Sequence, residues 1–200
     1  MAVNLQKGQK ISLKKSDGKK LSKLMVGLGW DAAEQKRSGF LGKVFGGTKN
    51  IDCDASVFVC QGGKFVNKKD LVYFGNLKHD SGAIQHMGDN LTGEGEGDDE
   101  EIFVDLDKLP AQYDKLIFVV NIFQFFSHDQ HFGMIKNAFI RIVDDETNEE
   151  ICRFNLSENY DNMRAVIAGE VYKRGDEWKF NPIGAGTTDK SLDELGSRFK

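Results

Sequence analysis

The sequence is poor in cysteine and proline and has no long apolar run. Its three cysteines cannot all pair, and none has the close spacing typical of zinc ligands, so we expect reduced, buried thiols. Cys53 and Cys60 are seven residues apart in a strand-like run, which predicts that their side chains point to opposite faces. No apolar stretch approaches the ~18 residues of a membrane span. No apolar segment follows the lysines of the N-terminus, so we expect a cytoplasmic protein without a secretory signal.

The chain does contain enough apolar material for a core. Of its 200 residues 40% are hydrophobic and 29% are charged, which excludes a wholly disordered chain. The net charge of −4 hides an uneven distribution. Residues 1–23 contain seven lysines and one acid, whereas residues 89–101 contain seven acids and no base. Such a block of like charge repels itself unless a cation neutralises it.

Short apolar runs separated by turn residues predict an all-β fold. The runs recur at roughly 8–12 residue spacing, with Gly, Asn and Asp between them. Residues 116–126 are apolar on both faces and rich in β-branched and aromatic side chains, which predicts a central buried strand. About ten strands without intervening helices are typical of an antiparallel β-sandwich of two sheets, or of a barrel. We favour the sandwich, and an α+β fold stays open if residues 128–142 are helical.

The chain shows no internal repeat and no interdomain linker. We therefore expect one domain over residues 1–186, followed by a tail over residues 187–200. In the tail, Ser191 precedes Asp193 and Glu194, in the order typical of a helix N-cap and an acidic first turn. This pattern favours a short C-terminal helix.

The most informative segment is residues 88–101, in which acids alternate with glycines. Glycines allow the backbone to turn its carbonyl oxygens inward, and the acids supply anionic oxygens. Ca²⁺ takes six to eight oxygen ligands at ~2.3–2.6 Å in a flexible cage. The absence of histidine and cysteine from the segment argues against zinc or copper. The candidate donors here are Asp89, Asn90, Thr92, Gly93, Glu94, Gly95, Glu96, Gly97, Asp98, Asp99, Glu100 and Glu101.

Three other interpretations of this segment are weaker, and a fourth stays open. It is not an EF-hand, because Leu91 and Gly93 fall where that loop needs side-chain oxygens. A repeat-in-toxin site needs tandem copies. A phosphate cradle is excluded because seven acids would repel the phosphate, and the GLG sequence at 27–29 is more typical of strand-end backbone. A solvated acidic loop remains the open alternative.

A single loop rarely completes a calcium cage, so further donors are expected elsewhere. Asp52 and Asp54 are two residues apart on one face of a predicted strand, ~6.5–7 Å between Cα atoms, and are candidates for the other half of the site. Asp105 and Asp107 repeat the spacing, but they fit the polar outer face of a strand better. Asn121 interrupts an apolar strand and needs either hydrogen-bond partners or a ligand role.

Several motifs carry a resemblance to a known family. They are GDNLTGEGEGDDE at 88–100, DCDASVF at 52–58, VDLDKLP at 104–110, VGLGWD at 26–31, FGNL at 74–77, NAFIRIV at 137–143 and EWKF at 177–180. Together they resemble the TerD family of tellurium-resistance and general stress proteins. The resemblance implies a cytoplasmic, calcium-binding β-sandwich with no established enzymatic activity. It also implies two neighbouring calcium ions held by acids around 52–54 and 88–101, whereas the insert at 34–50 varies within the family.

The expected function is that of a non-enzymatic binding or adaptor module in a stress response. Expected partners are calcium and other proteins of the same stress system, or the inner membrane face, which the basic N-terminus would contact. A metal-dependent enzyme using His128 and His131 is less favoured, because no nucleophile motif stands near them. His79 and His86 flank a hairpin-like turn and are interpreted as incidental. Nucleic acid is not an expected partner at a pI of about 5.6.

Overall fold

The computed structural model describes residues 2–32, 51, 53–88, 97–122, 130–156 and 158–200. These residues form β-strands, one short α-helix, and 3-10 turns at Lys68–Asp70 and Phe132–Met134. The strands and the helix are β1 (Val3–Asn4), β2 (Ile11–Ser12), β3 (Lys23–Ala32), β4 (Cys53–Gln61), β5 (Leu71–Val72), β6 (Ile84–His86), β7 (Glu100–Asp105), β8 (Tyr113–Ile122), β9 (Ile135–Asp144), β10 (Glu149–Asn155), β11 (Ala165–Arg174), β12 (Glu177–Thr187) and α1 (Leu192–Ser197). The predicted all-β class is confirmed. Because β9 occupies most of the segment 128–142, the α+β alternative is wrong.

Two six-stranded sheets make up the sandwich. Sheet A has the order β1-β10-β9-β3-β7-β6, and sheet B has the order β2-β12-β11-β8-β4-β5. The pairings between these strands are antiparallel, except that β1 runs parallel to β10. Both sheets end in strands of two or three residues. Such short edges offer few unpaired backbone groups to another chain.

Strand β4 shows how the sequence divides side chains between the two faces of sheet B. Cys53, Ala55 and Val57 pack between the sheets, whereas Phe58 and Cys60 pack on the outer face. The opposite orientation of the two cysteines is therefore confirmed, as a side-chain period of two requires. Burial raises the pKa of the Cys60 thiol to about 12.

Strand β8 lies between β4 and β11, and it is buried on both faces because the core between the sheets covers one face and the C-terminal helix contacts the other. Phe118 packs in the core between the sheets, and Ile117 and Val119 pack on the outer face with Leu195 of α1. This double burial explains the apolar run that predicted a central strand. The strand ends at Ile122, and its predicted continuation to residue 126 lies outside the described residues.

Helix α1 confirms the short C-terminal helix. Its N-cap is Ser191, whose hydroxyl oxygen accepts from the backbone N–H of Glu194 at 3.2 Å. Leu195 is fully buried against Phe58 and Phe65. Within the described ranges, no helix is both long and apolar enough to cross a membrane.

Candidate functional site

The predicted calcium ligands divide into two sets. The first set lies outside the described residues and comprises Asp52, Asp89, Asn90, Thr92, Gly93, Glu94, Gly95 and Glu96. The roles of these residues stay predictions, and the same holds for the insert at 34–50. The second set is described and comprises Asp54, Gly97, Asp98, Asp99, Glu100 and Glu101.

The described candidate ligands lie at one end of the sandwich. In sheet A, Glu100 begins β7 opposite Leu28 of β3. In sheet B, Asp54 of β4 stands opposite Asn121 of β8. His86 links the two sheets here, because its Nε2 lies 3.1 Å from the carbonyl oxygen of Ala55. The fold therefore brings acids that are far apart in sequence to the same end of the molecule.

Two glycines of β3 make room for the end of the acidic segment on the outer face of sheet A. A Cβ atom on Gly27 would lie 2.2 Å from Oδ2 of Asp98, and one on Gly29 would lie 2.8 Å from the carbonyl oxygen of Gly97. A side chain at either position would push the segment off the sheet. These glycines permit a close approach of another part of the chain.

The segment is also hydrogen-bonded to β3 through its backbone. The N–H of Asp99 donates to the carbonyl oxygen of Leu28 at 2.8 Å, and the N–H of Trp30 donates to Oδ2 of Asp99 at 2.6 Å. Burial raises the pKa of Asp99, and the charges of Asp31 and Asp98 add to the rise against the lowering effect of the Trp30 N–H. A carboxyl group in this state gains from a nearby cation.

Arg141 of β9 binds the carboxylate of Asp98. Its Nε donates to Oδ1 at 2.8 Å and its Nη2 donates to Oδ2 at 2.7 Å, and the Asp98 side chain is only 1% exposed. Nη1 donates to Oε2 of Glu150 at 3.0 Å, and that oxygen also accepts from Arg153. The hydrogen bond with Asp98 is the main cause of a raised pKa of Arg141. Burial and the charge of Asp98 raise the pKa of Glu101 against the opposing charge of Arg141.

Glu100 points between the sheets and contacts His86. The residue is 3% exposed, and its Oε2 lies 3.0 Å from Nε2 of the ring, whose Nδ1 accepts from the N–H of Gly88 at 3.0 Å. Burial by itself lowers the pKa of His86, but the hydrogen bond and charge of Glu100 raise it overall, helped by the Ala55 carbonyl and the charge of Asp54. The interpretation of His86 as incidental is therefore wrong.

Asp54 and Asn121 form the sheet B part of this end. They are cross-strand partners on the outer face, because Cys53 and Ala55 on either side of Asp54 face the core. Asp54 is 8% exposed. Oδ1 of Asn121 is buried and has no hydrogen-bond partner among the described residues. A buried amide oxygen beside a buried carboxylate fits a cation with oxygen ligands, such as Ca²⁺.

The described acids do not complete a metal cage by themselves. In the ranges that the structure covers, no three His, Cys, Asp or Glu side chains group as metal ligands. The acids instead interact in two groups, one with Asp98, Asp99 and Glu101, and the other with Glu100 and Asp54 around His86. A complete cage would need donors from the rest of the predicted set.

A family model described as the TerD domain matches residues 1–199. The chain belongs to the TerD family. The stress response protein SCP2 of Bacillus subtilis (strain 168) is 53% identical over 200 residues, which cover 100% of both chains. The tellurium resistance protein TerD of Serratia marcescens is 38% identical over 187 residues, 93% of this chain and 91% of that relative. The TerD family is thus one of stress and tellurium-resistance proteins and not a recognised enzyme family.

A solved structure shares the TerD fold. It is described as a homologue of the telluride resistance protein TerD from Streptomyces coelicolor A3(2), and it superposes with a TM-score of 0.65. The match covers 88% of this chain and 95% of that one at 20% identity. At this identity the similarity shows the fold alone, and it agrees with the two-sheet sandwich.

A second polar cluster surrounds the buried carboxylate of Asp70. Tyr113 Oη and Gln61 Nε2 donate to it at 3.0 and 3.1 Å, and its Oδ1 lies 3.3 Å from Nε2 of His79. Nδ1 of His79 lies 2.7 Å from the hydroxyl oxygen of Ser81. His79, which the sequence interpretation treated as incidental, is thus a buried member of this hydrogen-bonded cluster. Serine, histidine and aspartate in this order are the parts of a nucleophilic triad.

The hydrogen bonds around Ser81 nevertheless indicate a structural role. Its N–H donates to Nδ1 of His79 and its hydroxyl oxygen accepts from the N–H of Ala83, both at 3.2 Å. The N–H of Gly82 donates to the His79 carbonyl at 2.8 Å. These three N–H groups are used within the turn, so they do not offer the preorganised donors that an oxyanion requires.

The histidines of the alternative enzyme site are only partly described. His128 lies outside the described residues. His131 precedes the 3-10 turn Phe132–Met134, and its Nδ1 is buried without a hydrogen-bond partner among the described residues. The joint action of the two rings stays a prediction.

Proposed function

We propose that this TerD-family protein is a calcium-binding module that acts in the stress response without catalysing a reaction. The observation that carries the proposal is the run of four consecutive acids at 98–101, all of which are buried or half-buried. Removing carboxylates from water is unfavourable unless cations or hydrogen bonds compensate. Arg141 and His86 supply part of this compensation. A divalent cation would supply more positive charge at the same end of the sandwich.

The donor chemistry favours calcium over other divalent metals. The candidate donors are carboxylate, amide and backbone carbonyl oxygens, which are hard ligands. Zinc and copper prefer nitrogen and sulfur donors. Magnesium requires near-octahedral geometry and gives up its waters reluctantly, so a crowded glycine-rich loop suits it poorly. When bound, calcium supplies charge neutralisation and ties the carboxylates together, and the chain orients those carboxylates through β3 and β9.

Two ions fit the arrangement better than one. Glu101 lies on the outer face of sheet A, near the charge of Asp98, whereas Glu100 points inward. Asp54 lies on the outer face of sheet B. A single cation has one coordination sphere, so carboxylates that point in different directions are more readily served by two neighbouring ions.

Titration of chelator-treated protein with Ca²⁺, Mg²⁺ and Zn²⁺ in a calorimeter tests the proposal. We expect about two Ca²⁺ per chain and weaker binding of Mg²⁺. Asp99→Asn should weaken calcium binding at least tenfold, or about 1.4 kcal/mol. The matched control is Asp107→Asn, which removes one exposed carboxylate outside the site and should leave the affinity unchanged. No heat with Ca²⁺, or equal affinity for Mg²⁺, would contradict the proposal.

We further propose that the protein works in the cytoplasm and binds another protein of the same stress system. Direct reduction of tellurite by its thiols is not favoured, because burial raises the pKa of Cys60 and Cys152 to about 12 each. Thiolate, the reactive form, is therefore scarce at neutral pH. The cellular effect is better attributed to what the calcium-loaded surface binds.

A protein partner is favoured over an anionic membrane, because most lysines of the N-terminus are already paired with acids of the chain. Five of the seven form ion pairs: Lys7 with Glu158, Lys14 with Glu177, Lys15 with Glu146, Lys19 with Asp17 and Lys23 with Glu146. Co-sedimentation with phosphatidylserine vesicles, with calcium and with chelator, tests this preference. We expect the protein to stay in the supernatant in both cases. Calcium-dependent pelleting would instead support the membrane adaptor.

A further inference from the structure

A network of two arginines and two acids crosses the outer face of sheet A beside the candidate calcium site. Its members are Asp98, Arg141 of β9, and Glu150 and Arg153 of β10. We infer that Arg141 is a positioning residue that holds Asp98 as the anchor of the acidic segment, so that the acids after Asp98 are presented to the ion. The inference rests on the proposed calcium-binding function, and it assigns Asp98 to the scaffold rather than to the ligands.

Both oxygens of the Asp98 carboxylate are already engaged. Arg141 Nε donates to Oδ1 at 2.8 Å and to Oδ2 at 3.0 Å, and Nη2 donates to Oδ2 at 2.7 Å. A calcium ion binds carboxylate oxygens at ~2.3–2.6 Å and would have to displace or share these donors. A paired arginine and carboxylate in this fork geometry is among the stronger hydrogen-bonded ion pairs in proteins.

The guanidinium is itself fixed in place from the opposite side. Glu150 accepts from Nη1 of Arg141 at 3.0 Å and from Nη2 of Arg153 at 3.0 Å. Arg153 in turn lies over the ring of Phe139, 4.1 Å from its centroid. Gly27 leaves the space that the Asp98 carboxylate occupies, because a Cβ atom at this position would collide with it. Such support from neighbouring residues is what holds a positioning side chain in one geometry.

The anchored residue sets the direction of the acids that follow it. Asp99 comes next in the chain and is hydrogen-bonded to β3 through its own N–H and its side chain. Glu100 then enters β7 and points inward, and Glu101 points outward because side chains alternate along a strand. Holding Asp98 therefore holds the starting point from which three candidate ligands are directed.

If Arg141 competes with calcium instead of positioning the segment, its removal should change the calcium affinity in the opposite direction. If Asp98 were a calcium ligand, Arg141 would compete with the ion for it and would repel the ion electrostatically. Removing the guanidinium would then tighten calcium binding. If Arg141 positions the segment, removing it weakens calcium binding. The sign of a single measured change therefore separates the two roles.

Calcium titrations of five variants and the wild type measure whether affinity falls or rises. We expect Arg141→Gln and Asp98→Asn each to weaken binding at least tenfold, and Arg141→Lys to lose less because it keeps the charge. The double variant should bind calcium as tightly as the single variant of lower affinity, since both changes break the same ion pair. Arg174→Gln is the matched control, because it removes an exposed arginine at the end of β11 and should change affinity less than twofold.

Hydrogen exchange in chelator adds a readout that needs no metal. The amides of Asp99 and Trp30 should exchange at least tenfold faster in Arg141→Gln than in the wild type. In Arg141→Lys their exchange rates should be intermediate. The amides of Asp99 and Trp30 should be unaffected in Arg174→Gln. The amides of the distant β11–β12 pairing should be unchanged in both Arg141 variants. A purely structural contribution from Arg141 would instead raise exchange throughout the sheets.

The possible outcomes separate this inference from the proposed function. A wild type that binds calcium, together with an Arg141→Gln variant that binds equally well or more tightly, overturns the inference and leaves the function standing. The inference also fails if Asp98→Asn loses far more affinity than Arg141→Gln and the losses add in the double variant. A wild type without calcium binding overturns the proposed function and this inference together.

Discussion

The acidic end of the sandwich and the Asp70 cluster both bury carboxylates, but they satisfy them differently. Asp70 is a single carboxylate with Tyr113, Gln61 and His79 arranged around its two oxygens. At 98–101, four carboxylates stand in a row, and their cationic contacts come from Arg141 and His86. One cluster is complete as it stands, whereas the other gains from added positive charge.

This difference distinguishes a structural cluster from a binding site in the same chain. A buried carboxylate with a full set of donors rigidifies the fold, and a ligand would have to break those bonds. Carboxylates whose pKa values are raised by burial and by a neighbouring acid, as those of Asp99 and Glu101 are by Asp98, are stabilised when a cation arrives. We therefore assign the proposed ion to the acidic end and explain the Asp70 cluster as a part of the fold.

Calcium should produce the largest effect, and it tests the acidic half of the comparison. A cation that binds only the native state stabilises by about 2.7 kcal/mol at a hundredfold excess over Kd. In a domain of this size each kcal/mol shifts Tm by roughly 2–4 °C, so one saturated site should raise Tm by about 5–11 °C and two sites by more. Scanning calorimetry near pH 7, in chelator and then in excess Ca²⁺, measures it.

The calcium-induced shift should also fade as the pH falls toward about 4. Carboxylates that take up protons there no longer bind the ion. A Tm that is indifferent to calcium near pH 7 would restore the open alternative, in which 88–101 is a solvated acidic loop. Magnesium at the same concentration serves as the control and should raise Tm by less.

Asp70→Asn tests the other half of the comparison. The amide keeps one acceptor oxygen but turns an NH₂ group toward donors such as Gln61 or Tyr113, so the buried network loses at least one hydrogen bond. Leaving a buried polar group unsatisfied costs about 1–3 kcal/mol, or roughly 2–12 °C in Tm. We expect this loss in chelator and in calcium alike, with unchanged calcium affinity. A selective loss of calcium binding would mean that the two clusters are coupled.

Much of the fold could be predicted from sequence because it follows from local periodicity. The alternation along β4 predicted that Cys53 and Cys60 face opposite sides, and the apolar run at 116–126 predicted a strand buried on both faces, which the structure describes as far as Ile122. The order of strands in each sheet could not be predicted in this way. It depends on pairing between distant segments, such as β3 with β7 and β9, which leaves no short-range pattern.

The acidic part of the candidate site could be predicted from its composition, but the residues that hold it in place could not. The alternation of acids and glycines in 88–101 identifies oxygen donors directly. The role of Gly27 has no such local signal. It becomes visible only in the fold, where a Cβ atom on Gly27 would lie 2.2 Å from Oδ2 of Asp98. Arg141 looks like any outward residue of an alternating strand, and His86 gives no local sign that it is buried beside Glu100. A glycine pair inside a predicted strand and an arginine among apolar neighbours were the available signals.

Asp189 adds a third kind of carboxylate to the comparison. It is paired with Arg198 and Thr187, as Asp70 is paired with its donors, but it lies closer to solvent. The Arg198 guanidinium is the main cause of its lowered pKa, and the Thr187 hydroxyl adds to this against the effect of burial. Because the folded pKa lies below the ordinary 3.8, the stabilisation is present above pH 3.8 and is lost as the pH falls through the folded pKa. Asp189→Asn should cost about 0.2–1 kcal/mol near neutral pH, as for other exposed pairs.

Urea unfolding of wild type and Asp189→Asn at a series of pH values measures this contribution. We expect the difference in unfolding free energy to be constant near neutrality and to shrink below pH 3.8. A difference that grows on acidification would have the wrong sign for a lowered pKa. Asp193→Asn is a suitable control, because that carboxylate is exposed and pairs with Lys68 at the surface.

Ser81→Ala tests whether the hydrogen-bonded Asp70 cluster is only structural. The hydroxyl lies in a turn, accepts from the N–H of Ala83 and contacts His79, so its loss removes one half-buried hydrogen bond worth about 0.5–1.5 kcal/mol. Because the N–H groups of that turn are already bonded, we expect no labelling of the wild type by a fluorophosphonate probe and no hydrolysis of p-nitrophenyl acetate above that of Ser81→Ala. Labelling that Ser81→Ala abolishes and His79→Gln reduces would show an active nucleophile. The Asp70 cluster would then be a catalytic site, and completeness of hydrogen bonding would no longer separate structure from function in this fold.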